Sequence, residues 1–213
     1  MYKIITLSFL ILTSVSVAQK KKKPRWSDTY KVKPTPKIEY SEIAPFIKGN
    51  QYLVTSVAGD FNGDKQLDAI VILADKKEDE EILKQEKPIK RPLLILKRNK
   101  NGVLEKMHEN DKVVYCYMCG STMGSPLTSV LFDGNVFAVQ HEAGKSNRWS
   151  RIISFEYDKE KEVWLLLKDA TSRYNIMNSK GLESIVKTQN DFGFITFEKF
   201  DAFEEDLIKK TAN

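Results

Sequence analysis

Beyond its first dozen residues the chain has no long hydrophobic run. No later stretch approaches the roughly 18 uninterrupted apolar residues that a membrane helix needs, so no transmembrane segment is expected. No period repeats along the 213 residues, which argues against a full propeller of several blades. Cysteine is scarce, with 2 in the chain. None directly follows the N-terminal apolar run, so a lipid anchor is not expected there. The formal net charge of +5 is not spread evenly. Much of it falls in a short basic stretch, and the remainder is close to neutral, which argues against nucleic acid as a partner. No paired carboxylates and no Ser/His/Asp constellation can be assembled from the sequence.

What is present begins with a leader. Met1-Tyr2-Lys3 precedes an apolar run, Ile4 to Leu12, and Ser16-Val17-Ala18 places small residues at −3 and −1 of a cleavage site. That is the pattern of a secretory signal peptide over residues 1–18, and it predicts a secreted or periplasmic protein. Residues 19–37 follow as a linker, with Lys20 to Lys23, Pro24, Arg25, Lys31, Lys33, Pro34, Pro36 and Lys37. Like charges and prolines disfavour a packed core, so this segment reads as a solvated arm. Residues 38–213 are then long enough for one domain with a proper core.

Within that domain one loop stands out: Gly59-Asp60-Phe61-Asn62-Gly63-Asp64-Lys65-Gln66-Leu67-Asp68. Asp60, Asn62, Asp64 and Asp68 occupy positions 1, 3, 5 and 9, and Gln66 at position 7 can offer its backbone carbonyl. Alternate oxygen-bearing residues of a tight loop suit a hard cation such as Ca²⁺. Three carboxylates placed so closely also repel one another unless a cation lies between them. Apolar runs on both sides put the loop at the turn between two strands.

This loop with its following apolar strand resembles the FG-GAP/VCBS repeat, over about two dozen residues. The resemblance implies calcium ligation by Asp60, Asn62, Asp64, the Gln66 carbonyl and Asp68. It departs from the repeat at position 6, where Lys65 replaces the usual Gly. A positive φ at Lys65 would cost on the order of 1 kcal/mol. Val71 at position 12 excludes an EF-hand, which needs Glu there. Further on, Cys116-x-x-Cys119-Gly120, Gly124-Ser125-Pro126 and His141-x-x-Gly144-x-Ser146-x-x-Trp149 are similar to a group of small exported bacterial proteins with a single loop of this kind, a resemblance that implies no mechanism.

The rest of the domain reads as short strands joined by tight turns. Strands are expected at Tyr52–Ala58, Ala69–Ala74, Arg91–Arg98, Val103–Met107, Lys112–Cys116, Thr128–Phe132, Asn135–His141, Arg151–Tyr157 and Glu162–Lys168, and a last one at Phe194–Phe197. Asn101-Gly102 and Asp133-Gly134 are hairpin signals, the latter suited to a type I′ turn. A short helical turn is expected at Ser41–Ala44, cut by Pro45, and a solvated loop or short helix at Lys76–Glu86. Asp201 with Glu204 reads as a capping box opening an amphipathic helix, Ala202–Lys210, with Phe200, Phe203, Leu207 and Ile208 on one face. The fold class is mainly β: an antiparallel sheet, sandwich or open barrel-like, with a short C-terminal helix.

Cys116 and Cys119 are expected to form a local disulfide in an oxidising compartment. A thiol-disulfide enzyme would need a low-pKa thiolate at a helix N-terminus, and loop is expected there instead. A zinc site of these cysteines with His108 and His141 has irregular spacing. Ala143-Gly144-Lys145-Ser146 echoes the end of a P-loop, but Val139 stands where its first Gly belongs. His141, Lys145, Arg148, Trp149 and Arg151 form a candidate ligand-binding cluster, since Trp offers a stacking face and Arg a forked donor for a sugar or carboxylate. His141 shares strand parity with Phe137 and Val139, the expected core face. The leading expectation is an exported non-enzymatic module with one calcium loop, binding a surface glycan or protein. The rival expectations are an exported hydrolase-like enzyme using the His141/Arg148/Trp149 region and a thiol-disulfide protein.

Overall fold

Nine antiparallel strands build two meandering sheets in the computed structural model, which describes residues 36–78 and 89–204, all within the unit Pro34–Asn213. The first sheet runs β1 (Gln51–Gly59), β2 (Asp68–Asp75), β3 (Arg91–Arg98) and β4 (Leu104–Val114). The second runs β5 (Leu127–Asp133), β6 (Val136–Gly144), β7 (Asn147–Asp158), β8 (Val163–Asn175) and β9 (Asn178–Thr188). Each strand pairs with its neighbour in sequence, so tight turns suffice to connect most of them. The mainly β, antiparallel class expected from the sequence is the class observed.

The two sheets differ in how they are covered. β2 and β3 are apolar on both faces. Ile70, Ile72, Leu93 and Ile95 pack toward the second sheet with Phe137, Val139, Phe155 and Trp164. Ala69, Val71, Leu73, Leu94 and Leu96 pack the other way, against Ile38, Ile43, Phe46 and Ile47. That outer cover is α1 (Tyr40–Ile43) followed by a 3₁₀ turn, Ala44–Phe46, in which Pro45 occupies the first turn. A strand buried on both faces reads as a continuous apolar run, which is why Ala69–Ala74 shows no alternation. β6 instead alternates, with Phe137, Val139, His141 and Ala143 inward. Its other face is partly exposed and has no such cover among the described residues.

Several boundaries moved. The expected strands at Val103–Met107 and Lys112–Cys116 are one strand, β4, whose pairing with β3 is irregular at two places. β8 continues past Lys168 to Asn175, and β9 was not expected. Its Ser, Lys, Gly and Glu residues hide a two-residue period because much of the strand is exposed on both faces. The β5–β6 turn consists of Gly134 and Asn135, not Asp133 and Gly134. Only Gly134 takes positive φ, at 59°, as in a type II′ turn rather than I′. Phe194–Phe197 forms one isolated bridge, Thr196 to Leu165, before a 3₁₀ turn at Phe197–Lys199. Buried Asn110 donates to the Phe197 and Phe200 carbonyls, so a side chain replaces a strand ladder in holding this segment to β4.

The short C-terminal helix is α2 (Gln189–Phe192). The Thr188 N–H donates to Asp191 at 2.8 Å, one arm of a capping box. Asp201 instead accepts the Phe203 N–H in a turn. Of the helix expected at Ala202–Lys210, residues from 205 onward lie outside those described. Lys76–Glu78 is a 3₁₀ turn, and the remainder of the Lys76–Glu86 expectation also lies outside them.

Candidate functional site

The Asp60–Asp68 loop joins β1 to β2, as expected. It is fastened to the core by Phe61, which meets Tyr157 and Trp164 edge-on at 4.7 and 5.1 Å. The oxygen-bearing side chains organise the backbone around themselves. Asp60 accepts the amides of Gly63, Asp64 and Lys65 at 2.7–3.1 Å. Asn62 accepts the Asp64 amide and donates from its own side chain to the Asp64 carboxylate. Asp64 accepts the Gln66 amide. Lys65 adopts φ 69° and Gly63 φ 77°, so the position where the repeat has Gly does demand the left-handed region.

Asp68 is fully buried at the start of β2 and accepts the Arg98 and Phe61 amides. Burial pushes its carboxyl up to about 6, the two amides oppose that rise, and the charges of Asp64 and Asp60 add to it. Among the described residues no three His, Cys, Asp or Glu side chains converge in the manner of a metal cage. The donor set, all hard oxygen, fits Ca²⁺ chemically, and a cation there would offset the Asp60 and Asp64 charges that add to the burial-driven rise at Asp68. In the arrangement seen, however, the carboxylate oxygens are engaged by amides.

The second region lies on the inner face of the second sheet. Directly opposed residues share a face, so the register gives its surface row by row. One row is Val139, Ile153, Asp169 and Lys187. The next is His141, Arg151, Thr171 and Ile185. The last is Ala143, Trp149, Arg173 and Glu183. The Phe137/Phe155 end of this face packs beneath the first sheet. Over β7, β8 and β9 the face opens into a cleft of about 420 Å³, lined by Trp149, Arg151, Thr171 and Arg173 and walled by Tyr115, Cys119 and Phe203. A smaller hollow of about 150 Å³ shares Thr171 and Arg173 and continues to Glu183, Ile185 and Lys187. Together they form one groove across three strands.

A buried guanidinium cluster braces its wall, and a second is anchored on β3 of the first sheet. Arg151 forks onto Asp169 at 2.9 and 2.7 Å and also donates to the Tyr115 hydroxyl and the Ala202 carbonyl. Arg91 forks onto Glu78 and donates to Ser125, with its guanidinium over the Tyr117 ring. Tyr52 donates to Glu78 as well. Between the clusters, Cys116 and Cys119 are joined by a disulfide. The Tyr117–Met123 segment that follows is a 3₁₀ turn, where the sequence suggested loop.

The five residues grouped from the sequence are divided by this fold. Trp149 and Arg151 line the groove. Arg148 points to the opposite face of the same strand, paired with Glu142 at 2.8 Å, and Tyr174 donates to the same carboxylate. Lys145 is exposed beside the β6–β7 turn. His141 is buried, with Tyr115 edge-on above it at 4.8 Å. Its Nε2 accepts the Tyr115 amide and its Nδ1 is sealed without a partner. Burial first, then the positive charges of Arg151 and Arg91, lowers its pKa to about 3. It is a neutral packing residue, and His141, Arg148 and Trp149 do not line one pocket. The zinc set does not assemble either: the cysteines are bonded to each other and His108 pairs with Glu198.

The groove residues missed in the sequence are Tyr115, Thr171, Arg173, Glu183, Ile185, Lys187 and Phe203. The signal that could have found most of them is strand parity, had β8 and β9 been extended. No protein-family description, no curated protein and no solved structure matches this chain.

Proposed function

We propose that this chain is an exported binding module whose recognition surface is the groove over β7, β8 and β9. In this reading the Asp60–Asp68 loop is a weak Ca²⁺ site of FG-GAP/VCBS type that stiffens the β1–β2 turn. The observation that carries the proposal is the groove itself. It combines three aromatic side chains, Tyr115, Trp149 and Phe203, with a hydroxyl and an exposed guanidinium on a rigid sheet. Aromatic faces beside a few convergent polar groups suit a sugar ring or a peptide. His141 supplies no base to this surface, which favours binding over hydrolysis. If Ca²⁺ binds, Asp60, Asn62 and Asp64 would hold it, and it would supply charge compensation to the buried Asp68.

The test is a screen of the protein against oligosaccharides and envelope peptides, repeated with Trp149→Ala and with Thr171→Trp, which fills the groove floor. Binding lost in both variants, with unchanged melting temperatures, is the expected result. A ligand held equally well by both variants overturns the reading.

A further inference from the structure

The groove carries charges that the fold leaves unpaired. Asp169 and Arg151 cancel, since both carboxylate oxygens accept from the guanidinium. Lys187 stands directly across from Asp169 in register. Its ammonium nitrogen is shut off from solvent yet finds no hydrogen-bond partner among the described residues. Arg173 lines both hollows and makes no hydrogen bond or ion pair with any described residue. Glu183 is opposite Arg173 in register and lies in the same hollow, without an ion pair to it. Three cations thus line the groove with two carboxylates, a surplus of one positive charge, with Arg173 and Glu183 exposed at its rim. An unpaired buried ammonium is costly, and an arriving anion would remove that cost.

We infer that the β8–β9 end of the groove is a carboxylate subsite, built by Arg173 and Lys187, for a ligand whose ring lies against Trp149 and Tyr115. This rests on the groove being the binding surface. A carboxylate fits better than a phosphate for two reasons. The surplus charge is single, and Glu183 in the same hollow repels a dianion more strongly than a monoanion. Arg173 provides a fork that matches a planar carboxylate, and Lys187 adds a point charge from the neighbouring strand. Thr171, in the row between those of Arg173 and Lys187, offers a hydroxyl to a ring substituent. The chemical class this describes is a ring-bearing monocarboxylate such as a uronic acid residue of an acidic polysaccharide. A neutral sugar would occupy the aromatic part and leave the cations unsatisfied.

The experiment is an NMR titration of the protein with glucuronate, glucose and inorganic phosphate, following the Trp149 indole and the amides of Arg173 and Lys187. Glucuronate is expected to shift all three. Glucose should bind at least about tenfold more weakly, and phosphate should leave the Trp149 indole unmoved. Arg173→Gln and Lys187→Gln should each weaken glucuronate by about tenfold or more, and each should weaken glucose by less than it weakens glucuronate. If glucuronate and glucose bind equally and neither variant matters, the carboxylate subsite is wrong while the groove reading survives. If phosphate shifts Lys187 and Arg173 as strongly as glucuronate does, the site is a general anion site and the carboxylate assignment falls. If none of the three probes moves any of the reporters, the inference fails, and the broader ligand screen with Trp149→Ala then decides the groove separately.

Discussion

The Asp60–Asp68 loop and the β7–β9 groove are both rich in charge, but they satisfy it in opposite ways. In the loop the hydrogen-bond partners are close in sequence, apart from Arg98, whose amide donates to Asp68 and whose Nε donates to the Leu67 carbonyl. Asp60, Asn62 and Asp64 bind amides two to five residues away. In the groove the partners come from distant segments, and Arg173 and Lys187 have no partner among the described residues. A self-satisfied loop acts chiefly on stability, whereas an unsatisfied groove is arranged for something that arrives. Substitutions in one region should therefore change a different observable from those in the other.

The largest effect is expected where the groove is braced. Arg151→Met removes the fork on buried Asp169 and the bonds to Tyr115 and Ala202. It should cost about 3–5 kcal/mol in urea unfolding, because a buried carboxylate loses the cation that is paired with it. A loss below about 1 kcal/mol would mean that Asp169 is hydrated and the groove wall is loose.

Next comes the loop's own anchor. Asp68→Ala orphans the Phe61 and Arg98 amides and should cost about 2–3 kcal/mol, while groove ligands bind the folded variant unchanged. A large loss of ligand affinity in that variant would break the proposed independence of the two regions.

The pH dependence separates the regions by sign. Buried Asp68, with its carboxyl raised to about 6 from 3.8, holds more protons when folded, so its contribution to stability falls as pH rises through that window. His141, lowered to about 3 from 6.5, holds fewer protons when folded, so its contribution falls as pH drops below about 6.5. His141→Gln removes the second effect only. Relative to the natural protein, it should regain about 3 kcal/mol of stability on going from pH 7 to pH 4, measured by unfolding at both values. No difference in slope between the two proteins would show that His141 takes up its proton as readily in the fold as in the unfolded chain.

The smallest effect concerns the proposed cation. Millimolar Ca²⁺ should raise the melting temperature slightly, since it binds the folded loop and not the unfolded chain. Asp64→Ala should abolish the rise. Lys65→Gly should enlarge it and add about 1 kcal/mol of stability in its absence, by relieving a left-handed φ at a side-chain-bearing residue. The gain should shrink below about pH 6 as Asp68 takes up a proton. If calcium moves neither protein, the loop is an Asx-rich turn alone and that part of the proposal is lost.

The sequence by itself determined what depends on neighbours in the chain. The β1–β2 loop, its left-handed Lys65, the Cys116–Cys119 pair, the hairpins and the apolar strands β2 and β3 all follow from short-range spacing and side-chain preference. His141 was assigned to the inner face by its alternation with Phe137 and Val139. Only the tertiary structure decided which polar residues meet. Arg148 and Arg151 are three residues apart and point to opposite faces, because a strand alternates with period two. Arg173 and Lys187 share a groove with Trp149 and Tyr115 because the registers of β7, β8 and β9 bring separate segments into line. β9 escaped detection since its exposed residues carry no apolar alternation, and its burial pattern exists only once β8 lies beside it. Cross-strand register is set by the sum of many weak long-range contacts, and no local stretch of sequence contains that sum.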